Sequence, residues 1–327
     1  MKVYLVIILC LLIACNLLFG SVDASFFSWN ELQLFEKENL KLILFESRIP
    51  RTVLALFSGV LCAVSGLVLQ TVFRNPLAGP TTLGINSGAS LGIALFYFVL
   101  SSFGFLPVEG SQALFAVVGA LLFLGLIVAV AVRFKSVNTI LIVGILLGYV
   151  AYSFIEILIQ ASSNNAISNY VFWGMGSFNL SSWINTVVIG ALAMSALFYF
   201  AKKSNALNVY LLGEDELKMN GLSASKLRLE LIVVTGVLIG VLTSIVGPLA
   251  FLGIAVPNFL KLQLKTLNHK VLLPYCALGG GAFAVLGDIL SRGLVFSTVF
   301  PLNAVLSILA IPIIVVLLLR KKDGVSH

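Results

Sequence analysis

Moving protons at membrane depth needs ionisable side chains inside apolar segments. Three acids in the chain meet that description: Glu156, Glu230 and Asp288. Glu156 falls near the end of its apolar run, and Glu230 lies close to Arg228. Asp288 precedes Arg292 at i, i+4, a helical spacing that pairs opposite charges. Three peripheral acids make a poor relay. The sequence has no GxSxG, no HExxH and no Gly-Lys dipeptide, which excludes a Walker A phosphate loop on this chain. His269 and His327 stand isolated in polar segments. Cys10, Cys15, Cys62 and Cys276 lie in apolar stretches without CxxC spacing, so neither a metal site nor a disulfide framework is supported. The chain offers no catalytic residue and no metal ligands.

The elements that must carry these residues are membrane helices. Of 327 residues, 60% (about 196) are apolar and 10% are charged, against roughly 25% charged in soluble domains. At ~20 apolar residues per span, the composition supplies about ten. Apolar runs fall at 3–20, 52–73, 82–102, 111–132, 137–160, 183–201, 229–247, 249–264, 272–291 and 303–319. The expectation is an all-α polytopic membrane protein, a single membrane domain over 1–327 embedded in the bilayer.

With the N-terminus in the cytoplasm, 15 of the 20 Lys and Arg residues fall inside. Lys37, Lys41, Arg48, Arg51 and Arg292 fall outside, and segments 103–110 and 161–182 carry no basic residue. By the positive-inside rule both termini are cytoplasmic. The +7 formal charge is therefore a topology signal, not a sign of nucleic-acid binding. A rival reading takes the first run as a secretory signal, with Leu12-Ile13-Ala14-Cys15 as a lipoprotein-like cleavage box, leaving nine spans.

Four patterns stand out between and within the runs. Gly79-Pro80 and Gly247-Pro248 each interrupt an apolar stretch and are each followed by Leu-Gly-Ile, five spans apart. An odd offset makes an inverted repeat, a transporter habit; chance similarity in Gly-rich apolar sequence is the alternative. The longest inside segment, Lys202 to Lys226, holds Gly213, Glu214, Asp215, Glu216, Lys218, Asn220, Gly221 and Leu222. It reads as two short helices divided at Gly213 and ended at Gly221, with acids at a helix start. That is either a solvated loop or a knob that docks a cytoplasmic partner. Arg48, Arg51 and Arg292 either snorkel at the interface or meet acidic patches on a partner. Ser87 and Gly88, and Ser136, Asn138 and Thr139, open two spans with small polar residues that pack closely or line a pathway.

Taken together, these residues resemble the FecCD-type permeases of ABC importers for iron–siderophore complexes, haem and cobalamin. The resemblance runs from Arg48 to Arg320. It rests on Arg48-Ile49-Pro50-Arg51, on Gln70 ahead of Arg74-Asn75-Pro76-Leu77-Ala78-Gly79-Pro80, and on Leu83-Gly84-Ile85-Asn86-Ser87-Gly88-Ala89. Trp173-Gly174-Met175-Gly176-Ser177 and Trp183 follow, then Leu211 through Leu222, Gly247-Pro248 to Gly253, Asp288 to Arg292, and Pro301 and Pro312. The resemblance implies a type II ABC importer permease architecture of ten spans per subunit, in the bacterial cell (inner) membrane. It implies a second permease subunit (a homodimer or close heterodimer), a cytoplasmic ABC ATPase dimer and an extracytoplasmic substrate-binding protein. No cofactor is implied on this chain, since ATP and Mg belong to the partner ATPase. By the same resemblance Gly213–Leu222 is the ATPase-coupling loop, Arg48, Arg51 and Arg292 dock the binding protein, and the start of span five near Asn138 and Thr139 is a gate. Three segments depart from the family pattern: Val256-Pro257-Asn258 with Lys261 where the family has Val-Pro-His and Arg, Pro301-Leu302-Asn303 where it has Pro-Val-Gly, and Ala310-Ile311-Pro312 where it has Gly-x-Pro. Those positions are expected near the dimer centre and pathway. An ion-gradient-driven secondary transporter is the alternative; a membrane-embedded enzyme is disfavoured by the lack of a clustered metal or nucleophile site.

Overall fold

The computed structural model describes residues 2–18, 43–99, 111–134, 136–179, 182–292 and 299–323. Lys37, Lys41, Lys135, His327 and the 103–110 segment lie outside them. The described residues form twelve helices: α1 (Lys2–Leu18), α2 (Ile49–Val72), α3 (Ile85–Phe98), α4 (Ser111–Arg133), α5 (Val137–Gln160), α6 (Asn164–Gly174), α7 (Trp183–Leu212), α8 (Glu214–Met219), α9 (Ala224–Val246), α10 (Leu252–Leu264), α11 (His269–Ser291) and α12 (Leu302–Asp323). Six helices are long and apolar enough to cross a membrane, and four shorter apolar ones, α1, α3, α10 and α12, complete the ten expected runs.

The structure corrects three boundaries. Runs 82–102 and 249–264 hold helices of 14 and 13 residues, about 20 Å at ~1.5 Å per residue and short of the ~30 Å hydrocarbon core. Pro80 opens a 3-10 turn, and Gly84 at φ 70° sets the start of α3. Gly247 at φ 76° and Phe251 at φ 57° precede α10. Left-handed residues cannot extend a right-handed helix, so each run is broken before its helix begins. Segment 161–182 is more than a loop, because Ser163 caps α6 by accepting from the Ala166 N–H. Finally, α7 runs unbroken for 30 residues to Leu212. The first of the two short helices expected in the 202–226 segment is thus the end of α7, and only α8 is separate.

The Gly-Pro echo extends to packing. Helix α2 packs on α10 and α11 as α9 packs on α3 and α4; α3 packs on α4 and α5 as α10 packs on α11 and α12. Matching polar contacts join the ends: Gln70 Nε2 donates to the Ile254 carbonyl at 3.3 Å, and Thr243 Oγ1 donates to Asn86 Oδ1 at 3.1 Å. The two halves therefore repeat each other in packing as well as in motif.

At the centre stands α2. Its apolar window is 83% buried, against 22% for α5. Gly59 lies backbone to backbone with Gly280 on α11, and Gly66 with Gly253 on α10; a Cβ at either position would collide with the facing carbonyl. Gly66→Ala is expected to lower the thermal stability of the purified protein in detergent by the equivalent of about 1–3 kcal/mol. Gly125 has nothing within 4 Å of its Cβ position, and Gly125→Ala should raise stability by up to about 1 kcal/mol. Equal behaviour of the two variants would show that the close approach does not limit packing.

Candidate functional site

Polar side chains gather at the two ends of α2. At its N-terminal end one carboxylate organises three elements. Asp288 on α11 accepts from Arg51 Nη2 at 2.7 Å and Nε at 2.9 Å, and from Arg292 Nη2 at 2.5 Å. Asn16 of α1 donates to the same carboxylate at 3.1 Å, and Arg292 Nη1 donates to the Asn16 carbonyl at 3.1 Å. Arg48 donates to the carbonyls of Leu17 and Leu18 at 2.9 and 3.1 Å. Arg51 Nη1 also reaches Asn179 Oδ1. The i, i+4 pair read from the sequence is present, and Arg51 joins it. Side-chain exposure is 1% for Asp288, 5% for Arg292 and 17% for Arg51. Two of the three arginines expected to face a partner are thus turned inward onto Asp288. The first run is also integral here: α1 packs on α11 and supplies Asn16 to the cluster.

At the opposite end, α8 projects from the bundle. Gly213 at φ 141° separates it from α7, and Gly221 at φ 72° ends it, with the Leu222 N–H returning to the Leu217 carbonyl at 2.9 Å. Asn220 donates to the Glu216 carbonyl, Lys218 pairs with Asp215 at 3.1 Å, and Glu214 meets Arg228 at 3.5 Å. Leu217 is fully buried and anchors the helix. Asp215 and Glu216 are exposed, as are Leu212, Met219 and Leu222. An acidic helix with exposed apolar side chains is suited to contact another protein. Arg228, expected beside Glu230, instead serves Glu214. Glu230 pairs with Lys203 at 2.7 Å and accepts from the Tyr199 hydroxyl at 2.5 Å.

Beneath α8 lies a network that the sequence reading missed. His269, read as an isolated polar residue, is 1% exposed and touches Asn208 and Thr71. Arg74 Nη2 donates to the Tyr210 carbonyl at 3.0 Å. The available signal was Asn268, a helix-capping residue type directly before the apolar α11; it does cap α11.

The small polar residues divide. Gly88 is packed against Gly119 and Phe123. Ser87 lines a groove of about 490 Å³ with Thr81, Gly144, Gly148, Tyr149 and Tyr152. Ser136 caps α5 by accepting from the Thr139 N–H, and Asn138 is exposed at that helix start. Gly148, beside Ser87, lies ten residues along α5 from Asn138, about 15 Å, so the structure does not bring these residues into one site. The three acids also stay apart: Glu156 lines a separate groove with Tyr152, Gln160 and Tyr170.

Of the departures from the family pattern, Asn258 is buried within the single chain, and Lys261 and Asn303 are half-buried. Asn258, 1% exposed, donates to the carbonyls of Pro76 at 2.7 Å and Ile254 at 2.9 Å. Lys261 donates to Gln70 Oε1 at 2.6 Å. Asn303 accepts from the Ala250 N–H and donates to the Gly174 carbonyl, both at 3.0 Å. Their immediate work is to join broken segments of this subunit.

Removing the charge of Asp288 strands two guanidiniums that share one carboxylate. Asp288→Asn is expected to destabilise the protein by about 3–5 kcal/mol, the cost of breaking a buried ion pair from one side, read as thermal unfolding in detergent. An unchanged unfolding temperature would show that the cluster is not structural.

A family model described as the FecCD transport family matches residues 6–320. The vitamin B12 import system permease protein BtuC of Salmonella arizonae is 34% identical over 280 residues, covering 86% of this chain and 84% of its own. The BtuC of Yersinia enterocolitica is 33% identical over 320 residues, covering 98% and 92%. A solved inward-facing structure of a metal-chelate type ABC transporter superposes with a TM-score of 0.84 at 26% identity, covering 97% of each chain. PsaBC from Streptococcus pneumoniae, solved in complex with a Fab, shares the fold at a TM-score of 0.58 and 14% identity, covering 87% of this chain and 95% of its own. The chain belongs to the FecCD transport family, and is an integral membrane protein of the ABC importer permease type.

Proposed function

We propose that the chain is the permease subunit through which an ABC importer passes a metal chelate of the cobalamin class, with ferric siderophore and haem as the nearest rivals. The observation that carries this reading is α8, a short acidic helix with exposed apolar side chains, held on the bundle by buried Leu217. It is a docking surface on a chain whose sequence holds no phosphate loop. The chelate class follows from the family and from the names of its relatives, which are vitamin B12 and metal-chelate transporters.

In this reading both termini and α8 face the cytoplasm, and α8 receives a separate ATPase pair. Two copies of the chain form the passage, and α5, with a largely exposed apolar face, contributes to it. A binding protein docks on the opposite face. There, among the described residues, Arg48, Arg51 and Arg292 gather around one carboxylate, Asp288, a basic face suited to acidic groups. Among the described residues, Arg48 is the arginine of the three whose side-chain hydrogen bonds go to carbonyls, which makes it the residue to test. ATP-driven movement of α8 then switches access from one side to the other, a switch that needs different contacts in the two states.

Uptake of radiolabelled cobalamin, haem and ferric siderophore in cells with and without the chain tests the cargo, with ATP depletion and an uncoupler applied separately. ATP-dependent loss of cobalamin uptake is the expected result; loss that follows the uncoupler alone would favour the secondary transporter. Replacing Glu214, Asp215 and Glu216 by Lys should abolish co-purification of the ATPase while the permease remains folded. Arg48→Glu should weaken binding-protein capture most at low salt, because exposed charges are screened over ~8–10 Å at moderate ionic strength.

A further inference from the structure

The polar network under α8 joins three helix ends. From α7, Asn208 Oδ1 accepts the His269 backbone N–H at 2.8 Å and lies 2.9 Å from His269 Nδ1; Asn208 Nδ2 donates to Asn268 Oδ1 at 2.9 Å. His269 Nε2 lies 2.7 Å from Thr71 Oγ1 on α2. With Nδ1–H donating to Asn208, Nε2 is left to accept from the Thr71 hydroxyl, whose one proton is shared between this contact and the Leu67 carbonyl at 3.0 Å. Two residues beyond Asn208, the Tyr210 hydroxyl donates to the Val72 carbonyl at 3.3 Å. The Arg74 guanidinium stacks 5.5 Å from the Tyr210 ring while bonding its carbonyl. Thr71, His269 and Tyr210 are each 2% exposed or less.

We propose that Asn208, His269 and Thr71 are positioning residues that transmit displacement of α8 to α2, an inference that rests on reading α8 as the ATPase dock. The last turn of α7 runs straight into Gly213 and α8, so a push on α8 arrives at Asn208 and Tyr210. Apolar contacts permit neighbouring helices to slide, whereas hydrogen bonds weaken steeply once misaligned. The network therefore makes the end of α7, the start of α11 and the end of α2 move together. Helix α2 is a 24-residue rod, about 36 Å long, whose far end carries Arg51 in the Asp288 cluster. Motion at α8 is thus delivered to the opposite face through one shaft.

The test uses the whole complex in proteoliposomes. Thr71→Val removes the hydroxyl at nearly constant shape, Asn208→Ala removes the acceptor, and Thr71→Ser restores the hydroxyl. The readouts are ATPase recovery, cobalamin transported per ATP hydrolysed, and an ATP-dependent change at a spin label on exposed Glu46→Cys, in a Cys10→Ala, Cys15→Ala background. The label reads the far end of α2 whatever the cargo. The expected result is full ATPase recovery with transport per ATP reduced roughly fivefold or more, the low end of allosteric coupling. The label response should be lost in Thr71→Val and regained in Thr71→Ser. A normal ratio and label response in both disrupting variants would overturn the proposal. So would loss of ATPase recovery, which would make the network a support for docking alone. If the triple Lys replacement in α8 leaves ATPase recovery intact, the dock reading fails instead, independently of these variants.

Discussion

Helix α2 must touch five other helices at once, α1, α7, α9, α10 and α11, in a solvent that gives helix contact no hydrophobic reward. In hydrocarbon, association depends on dispersion, which decays within a fraction of an ångström of lost contact. The tightest approaches therefore occur where side chains are absent, at Gly59 with Gly280 and Gly66 with Gly253. Once the axis of α2 is fixed this way, its polar ends are fixed too. Arg51 is delivered to Asp288 at one end. Gln70, Thr71 and Arg74 are delivered to Lys261, His269 and Tyr210 at the other.

The Asp288 cluster shows how a membrane bundle accommodates charge. A lone buried carboxylate or a lone buried guanidinium would be expensive. Here one carboxylate is shared between two guanidiniums and an amide, and the surplus donors go to carbonyls at the end of α1. Helix α1 is thus held by its Asn16 and by the backbone around it as well as by packing.

Periodicity and composition made the ten apolar helices legible, because span-length apolarity is a local property. The Asp288–Arg292 pair was legible because its spacing is set within one helix. The Arg51–Asp288 contact was not legible because the two residues lie 237 apart, and no local pattern reports such a contact. The role of His269 was hidden for the same reason. Helix α6 escaped because its 11 residues are too short and too polar for a span, although Ser163 with the apolar positions after it marked a helix start. The length of α7 was obscured by Lys202, Lys203 and Ser204. Charges suggest the end of a span, but they end a hydrophobic stretch without ending a helix, and Lys202 and Lys203 lie over the rings of Phe198 and Tyr199.

The short helices α3 and α10 raise the question of what satisfies the unwound backbone before them. In a bilayer such backbone is tolerated where it is buried in protein, and every polar group still needs a partner. The partners here are carboxamide side chains, each with both a donor and an acceptor. Asn258 takes the Pro76 carbonyl ahead of α3; Asn303 takes the Ala250 N–H ahead of α10 and the Gly174 carbonyl beside it; Gln70 reaches Ile254 in the first turn of α10. Asn258 and Asn303 are two of the residues that depart from the family pattern. They differ in identity while meeting a demand created by the break itself, since an amide there can bridge two strands of backbone at once. The breaks therefore constrain these positions through unsatisfied backbone, and the amides there stitch the broken segments of the subunit together.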